Sequence, residues 1–214
     1  MKLHVYDHCP FCVKARAIFG LKEVPVELVV MLNDDVAPPE RMVGRKVAPI
    51  LEHEDRFTPE SMDIVALIDA MGDPRVLAGA TNPAVGSWIA EGSGSLYRLA
   101  ITRWASAPLP EFATADARAF FTRKKEALIG PFEDRLAETA ALVEVTNAHL
   151  ASLEPLLRSP EAVNGDLSED DIHLFAHLRA MSIVAGVAYP AKVDAYRRRM
   201  SERTKVPLHD DIAT

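Results

Sequence analysis

Two cysteines, Cys9 and Cys12, stand two residues apart near the start of the chain, and they are the only cysteines in it. A pair at this spacing can hold a metal, form a fixed disulfide or pass electrons. A closed zinc site needs about four ligands. The nearby candidates are His4, His8, Cys9 and Cys12, and both histidines would have to turn inward together. A structural disulfide closing so short a loop would remove little chain entropy. Thiol–disulfide chemistry is the expected use of the pair, with no metal. His8 reads as a solvent-facing neighbour of the thiolate, and Lys14 and Lys22 as charges that solvate the helix surface.

The elements around the pair decide what each thiol can do. "LHVY" alternates as a strand does, and "PVELVVML" is a β-branched run read as a buried strand. Between them "PFCVKARAIFGLK" carries Val13, Ala17 and Leu21 at intervals of four and ends near Gly20, as a helix does. This is a β-α-β unit with a parallel sheet, and the cysteines lie at the turn from strand to helix. With Pro10 at the first helical position, Cys9 is the N-cap, facing unpaired N–H groups at the positive end of a helix. That setting favours thiolate over thiol and makes Cys9 the expected nucleophile. Cys12, under the first turn, is the expected resolving thiol.

Two further motifs belong to the same half of the chain. "VAPILEHEDRFT" reads as two short strands joined through a charged turn, with Pro49 at the entry to the first and a cis Ala48–Pro49 bond expected. "PESMDIVALIDAMG" follows as a helix with Ile64, Leu67, Ile68 and Met71 on one face. Glu60 and Ser61 stand at its start, where free N–H groups can receive a carboxylate, although a plain cap would serve as well. The expected order is β-α-β-α-β-β-α over residues 1–72, then a linker at 73–83.

Residues 84–214 read as helical throughout. Trp88, Leu96, Leu99 and Arg103 mark one long helix, and "ADARAFFTRKKEALIG" marks a second, which Pro131 must end or kink. Phe132, Leu136, Val143, Leu150, Leu153 and Leu157 track a third. "LSEDDI" opens a fourth with Ser168 as N-cap and Asp171 in the reciprocal position. Pro190 starts a fifth. Trp88, Trp104, Phe120 and Phe121 are expected in the core, and Arg197, Arg198 and Arg199 on a solvated face.

Composition sets outer bounds. The chain has 214 residues, 49% of them hydrophobic, and a formal net charge of −7, which argues against a nucleic-acid partner because phosphate contacts need a basic face. No apolar run approaches the ~20 residues of a membrane helix, and the N-terminus lacks the apolar core of a secretion signal. A soluble, cytoplasmic protein is expected.

Taken together, C-P-F-C, the proline of "VAPIL", "PES", "RMVG", "VNGDLSEDDI" and a helical second half resemble the bacterial type-two glutaredoxins, the glutaredoxin 2 family. The resemblance spans essentially the whole chain. It implies a thioredoxin-like N-terminal α/β domain followed by an all-α, glutathione-transferase-like C-terminal domain. It also implies glutathione-dependent thiol–disulfide oxidoreduction, with glutathione as co-substrate and disulfide-bonded or glutathionylated proteins as partners; the sequence itself fixes no oligomeric state, and a monomer is the working expectation. Carried over to this sequence, Cys9 attacks and Cys12 resolves. Pro10 and Phe11 lie beside glutathione, the backbone at Ala48 and Pro49 pairs with its cysteinyl unit, and Glu60 and Ser61 hold its γ-glutamyl end. Phe11 stands where many glutaredoxins have tyrosine, and Ala48 where valine is frequent. The competing expectation is a glutathione transferase of the cysteine-thiol type, for which Cys12 would be superfluous.

Overall fold

The structure, a computed structural model, describes residues 1–214. The N-terminal part runs β1 (Lys2–Val5), α1 (Pro10–Leu21), β2 (Glu27–Val30), α2 (Ala37–Val43), β3 (Ile50–His53), β4 (Arg56–Pro59) and α3 (Ser61–Asp69). The order of elements is the one the sequence leads one to expect, but the sheet is mixed rather than parallel. Across it the strands lie β2-β1-β3-β4. Only β1 and β2 run parallel, with Leu3 opposite Leu28; β3 runs antiparallel to β1 and to β4. The reason is connection length. Helix α1 supplies the crossover a parallel pair needs, whereas Glu54 and Asp55, both at positive φ, make a two-residue hairpin turn that reverses the chain.

Two expectations about burial need correction. Strand β2 is an edge strand, not a buried one, and leaves Leu28 and Val30 exposed. In α3 the buried stripe centres on Ile64, Val65 and Ile68. Leu67 falls about 110° from that centre at 100° per residue and is exposed, while Met71 lies beyond the helix end.

The C-terminal part is built from α4 (Pro83–Ser106), α5 (Ala115–Ile129), α6 (Phe132–Ala137), α7 (Thr139–Ala151), α8 (Glu169–Met181) and α9 (Ala191–Thr204). The expected single helix from Phe132 to Leu157 is three pieces, interrupted at Glu138 and stopped before a 3₁₀ turn over Glu154–Leu156. Pro155 accounts for the second break, since it has no N–H to donate to the Ala151 carbonyl four residues back and its ring would clash with that carbonyl. Leu153 and Leu157 keep their place in the core even so. Ser168 does cap α8: its N–H donates to Asp171 Oδ2 at 2.9 Å, and Asp171 also accepts from the Val163 N–H and the Tyr196 hydroxyl.

A single apolar core crosses both parts, joining Leu3, Val13 and Ile18 to Leu96, Phe175 and Tyr196. Helix α8, buried along nearly its whole length, packs between α1 and α4. At Gly20 the backbone of α1 meets the end of α9 so closely that a Cβ would stand 2.0 Å from the Thr204 carbonyl oxygen. Helix α1 is thus clamped by the helical part rather than tethered to it. Arg197 belongs to this packing, contrary to the solvated face expected of it. It is buried, paired with Asp194 and Asp210, and lies over the Tyr189 ring, while Arg198 and Arg199 stay exposed. No helix is long and apolar enough to cross a membrane.

Candidate active site

Strand register gathers the candidate residues at one end of the sheet. Ile50 pairs with His4 on one side and with Pro59 on the other. The chain leaving β1 toward Cys9, the chain entering β3 through Ala48 and Pro49, and the chain leaving β4 into Glu60 and Ser61 therefore all meet at that end. The Ala48–Pro49 bond is cis, as expected; a second cis bond, Asp73–Pro74, was not foreseen.

After β1 the chain turns over Tyr6, Asp7 and His8 and enters α1 with Cys9 as N-cap, its backbone extended, and Pro10 in the first turn. The two thiols are free and differently placed: Cys9 is half-buried, and Cys12 is fully buried with the Tyr6 N–H donating to its sulfur at 3.4 Å. Their acidities separate accordingly. A hydrogen bond from the Cys12 thiol is the largest influence on Cys9; burial opposes it, and the His8 ring and the N–H groups of Cys12 and Phe11 add to it. The net effect lowers the Cys9 pKa to about 6. Those N–H groups face the sulfur without closing a full capping hydrogen bond. Burial and the bond to Cys9 push the Cys12 thiol well above its ordinary range. At neutral pH the site holds one thiolate and one covered thiol, the state from which a disulfide is attacked and then resolved.

Around the thiolate, Phe11 is 52% exposed, with the Lys14 ammonium 5.0 Å from its ring centre. Ser61 is buried as the first residue of α3. Glu60 stands at the cap of that helix with a positive φ of 72°, and its carboxylate pairs with Arg45 at 2.6 Å. Both partners are well exposed, so the pair orients Glu60 more than it stabilises the fold. From the helical part Tyr97 and Lys125 come close enough to interact with the Cys9 charge.

His8 is the principal departure from expectation. It is buried, with its ring packed among Tyr6, Trp104, Phe112 and Phe121. Its backbone N–H and its Nδ1 both meet Glu111 Oε1, at 2.8 and 2.6 Å. His4 is likewise engaged, by Glu52 at 3.0 Å, so neither histidine joins the cysteines. Lys22, expected merely to solvate α1, donates to the carbonyls of Asp69, Gly72 and Pro74 and ties down the segment after α3. Asp7, unremarked in the sequence, is the hub of a second network. It accepts from Arg16 at 2.5 Å, Arg179 at 2.7 Å and His209 at 2.8 Å. Burial alone would raise its pKa, but the bond to His209 and the charges of Arg179 and Arg16 outweigh it and hold the carboxyl far below the usual range. The turn that leads into Cys9 is therefore held from both flanks, through Asp7 and His8, by the C-terminal part. A glutamate inside the apolar run "PLPEF" was the only local sign of this.

Residues 84–213 match the family model described as glutaredoxin 2, C-terminal domain, and residues 3–74 match that of the glutathione S-transferase N-terminal domain. Glutaredoxin 2 of Escherichia coli strain K12 is 46% identical over 214 residues, which cover 100% of both chains. A solved structure of glutaredoxin 2 from Salmonella typhimurium in complex with glutathione is 48% identical. It covers 100% of this chain and 98% of its own, with a TM-score of 0.98. A glutathione S-transferase of Ceriporiopsis subvermispora, 14% identical over 96% of each chain with a TM-score of 0.70, shares the fold alone.

Proposed function

The chain belongs to the glutaredoxin 2 family of glutathione-dependent thiol–disulfide oxidoreductases, and from that premise we propose how its own residues divide the work. Cys9, as thiolate, attacks a disulfide. With a glutathionylated protein, the protein–glutathione bond breaks, the protein leaves as thiolate and takes up a proton, and glutathione remains on Cys9. A second glutathione thiolate then attacks, releasing glutathione disulfide and restoring Cys9. With a disulfide inside a protein, the substrate stays tethered to Cys9 until the Cys12 thiol loses its proton and attacks the Cys9 sulfur. The substrate leaves as a dithiol, and two glutathiones reduce the Cys9–Cys12 disulfide. The observation that carries this reading is the asymmetry of the pair, with Cys9 lowered to about 6 and half-buried and Cys12 raised and covered.

Glutathione lies, on this reading, along the end of the sheet. It touches Pro10 and Phe11, pairs through its cysteinyl unit with the backbone at Ala48 and Pro49, and places its γ-glutamyl end at Glu60 and Ser61. The register that brings these three segments together supports the arrangement. Partners that are disulfide-bonded or glutathionylated proteins, a monomer, a cytoplasmic location and a division into residues 1–72, 73–83 and 84–214 belong to the same proposal.

The test uses two variants and two substrates. Cys12→Ser is expected to keep substantial deglutathionylation, which needs one thiol, and to lose most reduction of protein disulfides, where attack within the tethered complex gives the resolving thiol its high effective concentration. Cys9→Ser is expected to lose both. A Cys12→Ser protein with both activities whole would return the chain to the single-thiol transferase reading.

A further inference from the structure

Four lysines, Lys14, Lys46, Lys124 and Lys125, stand on segments that the fold brings around the nucleophile, in a chain whose net charge is −7. Three of them rest on aromatic rings. The Lys14 ammonium lies 5.0 Å from the centre of the Phe11 ring, on the helix that Cys9 caps. Lys46, two residues before Ala48, lies 4.2 Å from the Phe120 ring and donates to the Asn33 carbonyl. Lys125 lies 5.5 Å from the Phe121 ring, which is itself 5.2 Å from the ring of His8, the residue before Cys9. Lys124 adjoins it on α5 and is exposed. These contacts tie the lysines to the helix, the turn and the cis-proline segment that meet around Cys9. The face of a ring attracts an ammonium group without cancelling its charge. Every ion pair in the structure is made by an arginine or a histidine, so none of the four lysines has a carboxylate partner. Asp34 and Asp35 act on Lys46 only from farther away. Burial lowers the pKa of Lys14, Lys46 and Lys125, an effect that an arriving anion opposes.

Glutathione accounts for little of this charge. With its γ-glutamyl end at Glu60 and Ser61 and its cysteinyl unit at Ala48 and Pro49, it has one glycyl carboxylate left for four cations. We propose that these lysines form a docking surface for the protein substrate, and that the favoured partner is a disulfide-bonded or glutathionylated protein whose reacting cysteine is flanked by acidic residues. This rests on Cys9 being the attacking thiol, and it names the class of partner that Cys9 attacks. Charges at the rim of an interface act mainly on encounter and on the rejection of wrong partners. A chain that is acidic elsewhere repels an acidic segment from the rest of its surface and admits it here, which orients the approach toward Cys9.

The experiment uses two synthetic peptides, each with one glutathionylated cysteine. They are alike except that the residues on either side of the cysteine are glutamates in one and glutamines in the other. The readout is the ratio of their kcat/KM values for deglutathionylation at neutral pH by the full-length protein in excess glutathione. Each value is first divided by the rate of exchange with glutathione alone, which removes the effect of the flanking charges on the disulfide itself. At ~0.01 M salt the glutamate peptide should be favoured about tenfold. At ~1 M salt, where the screening length falls from about 30 Å to about 3 Å, the two should agree within about twofold. Lys124→Gln combined with Lys125→Gln should cut the low-salt ratio by about threefold; any effect of these changes on Cys9 is shared by both peptides and cancels. Lys124→Glu alone, at an exposed position, should lower the ratio in the same direction and stands in if the double variant folds poorly. Equal use of the two peptides by the unaltered protein, or a preference that survives both the substitutions and ~1 M salt, would overturn the proposal. So would a rise in KM for glutathione with an unchanged peptide ratio, because the lysines would then serve the tripeptide. Failure of the underlying reading looks different: the unaltered protein would turn over neither peptide, and the proposal would fall with it.

Discussion

Replacing Asp7 by asparagine tests whether the active-site turn is held by charge. The substitution preserves size and leaves one acceptor, but it removes the negative charge shared by Arg16, Arg179 and His209. Arg179 is 1% exposed and Arg16 9%, so two guanidinium groups lose their counter-charge out of reach of water. Breaking a buried pair from one side costs about 3–5 kcal/mol. The lower end applies here, because Arg179 keeps the carbonyls of Asp7 and Pro207 as acceptors. For a chain of this length that is a fall in Tm of about 6–12 °C. The pH dependence has a definite sign. Asp7 titrates lower in the folded than in the unfolded protein, so its contribution is present above the unfolded value near ~4 and is lost as pH falls toward the folded one. Urea unfolding of both proteins should show a gap that holds or widens from about pH 8 to pH 5, because Asp7 also raises the pKa of His209, and that narrows only below about pH 4. A gap below about 1 kcal/mol at neutral pH, the range of exposed pairs, or one that closes between neutrality and pH 5, would refute the reasoning.

Three other outcomes follow from the same geometry. Brief alkylation of the reduced protein just below neutrality should label Cys9 at least about tenfold faster than Cys12, since one is a thiolate and the other a covered thiol; preferential labelling of Cys12 would reverse their roles. Ser61→Ala should raise KM for glutathione more than for a small synthetic dithiol, and equal effects on both reductants would reduce Ser61 to a helix cap. Gly20→Ala would gain about 1 kcal/mol from helix propensity alone, yet its Cβ would meet Thr204 backbone at 2.0 Å. A net loss of about 1–3 kcal/mol is therefore expected in denaturant unfolding, and a gain would mean that α1 and α9 separate easily.

What could be read from the sequence was what neighbouring residues decide among themselves. Pro10 starting α1, Cys9 capping it and Ser168 with Asp171 opening α8 are contacts within one helical turn, and each stands where its spacing put it. The charged turn at Glu54 and Asp55 is legible between two short strands, whereas the antiparallel half of the sheet that it produces is not. The errors lie where burial depends on distant chain. Three successive arginines look alike in sequence, and only the arrival of Asp210 and Tyr189 buries Arg197 and not its neighbours. His8 looked exposed because Glu111 and its four aromatic neighbours are spread over Tyr6 to Phe121. Asp7 meets Arg179 and His209 only after the last helices have folded back onto the first turn.

The most direct measurement is the covalent state of each single-cysteine variant after exposure to glutathione disulfide slightly below neutral pH. Cys12→Ser, whose serine hydroxyl can still donate to the Cys9 sulfur as the Cys12 thiol does, should take up one glutathione per chain within minutes, as a disulfide at Cys9 that excess reduced glutathione removes. Cys9→Ser, left with the covered thiol, should remain unmodified. Modification of Cys9→Ser as fast as of Cys12→Ser would contradict the assignment of the attacking and resolving thiols.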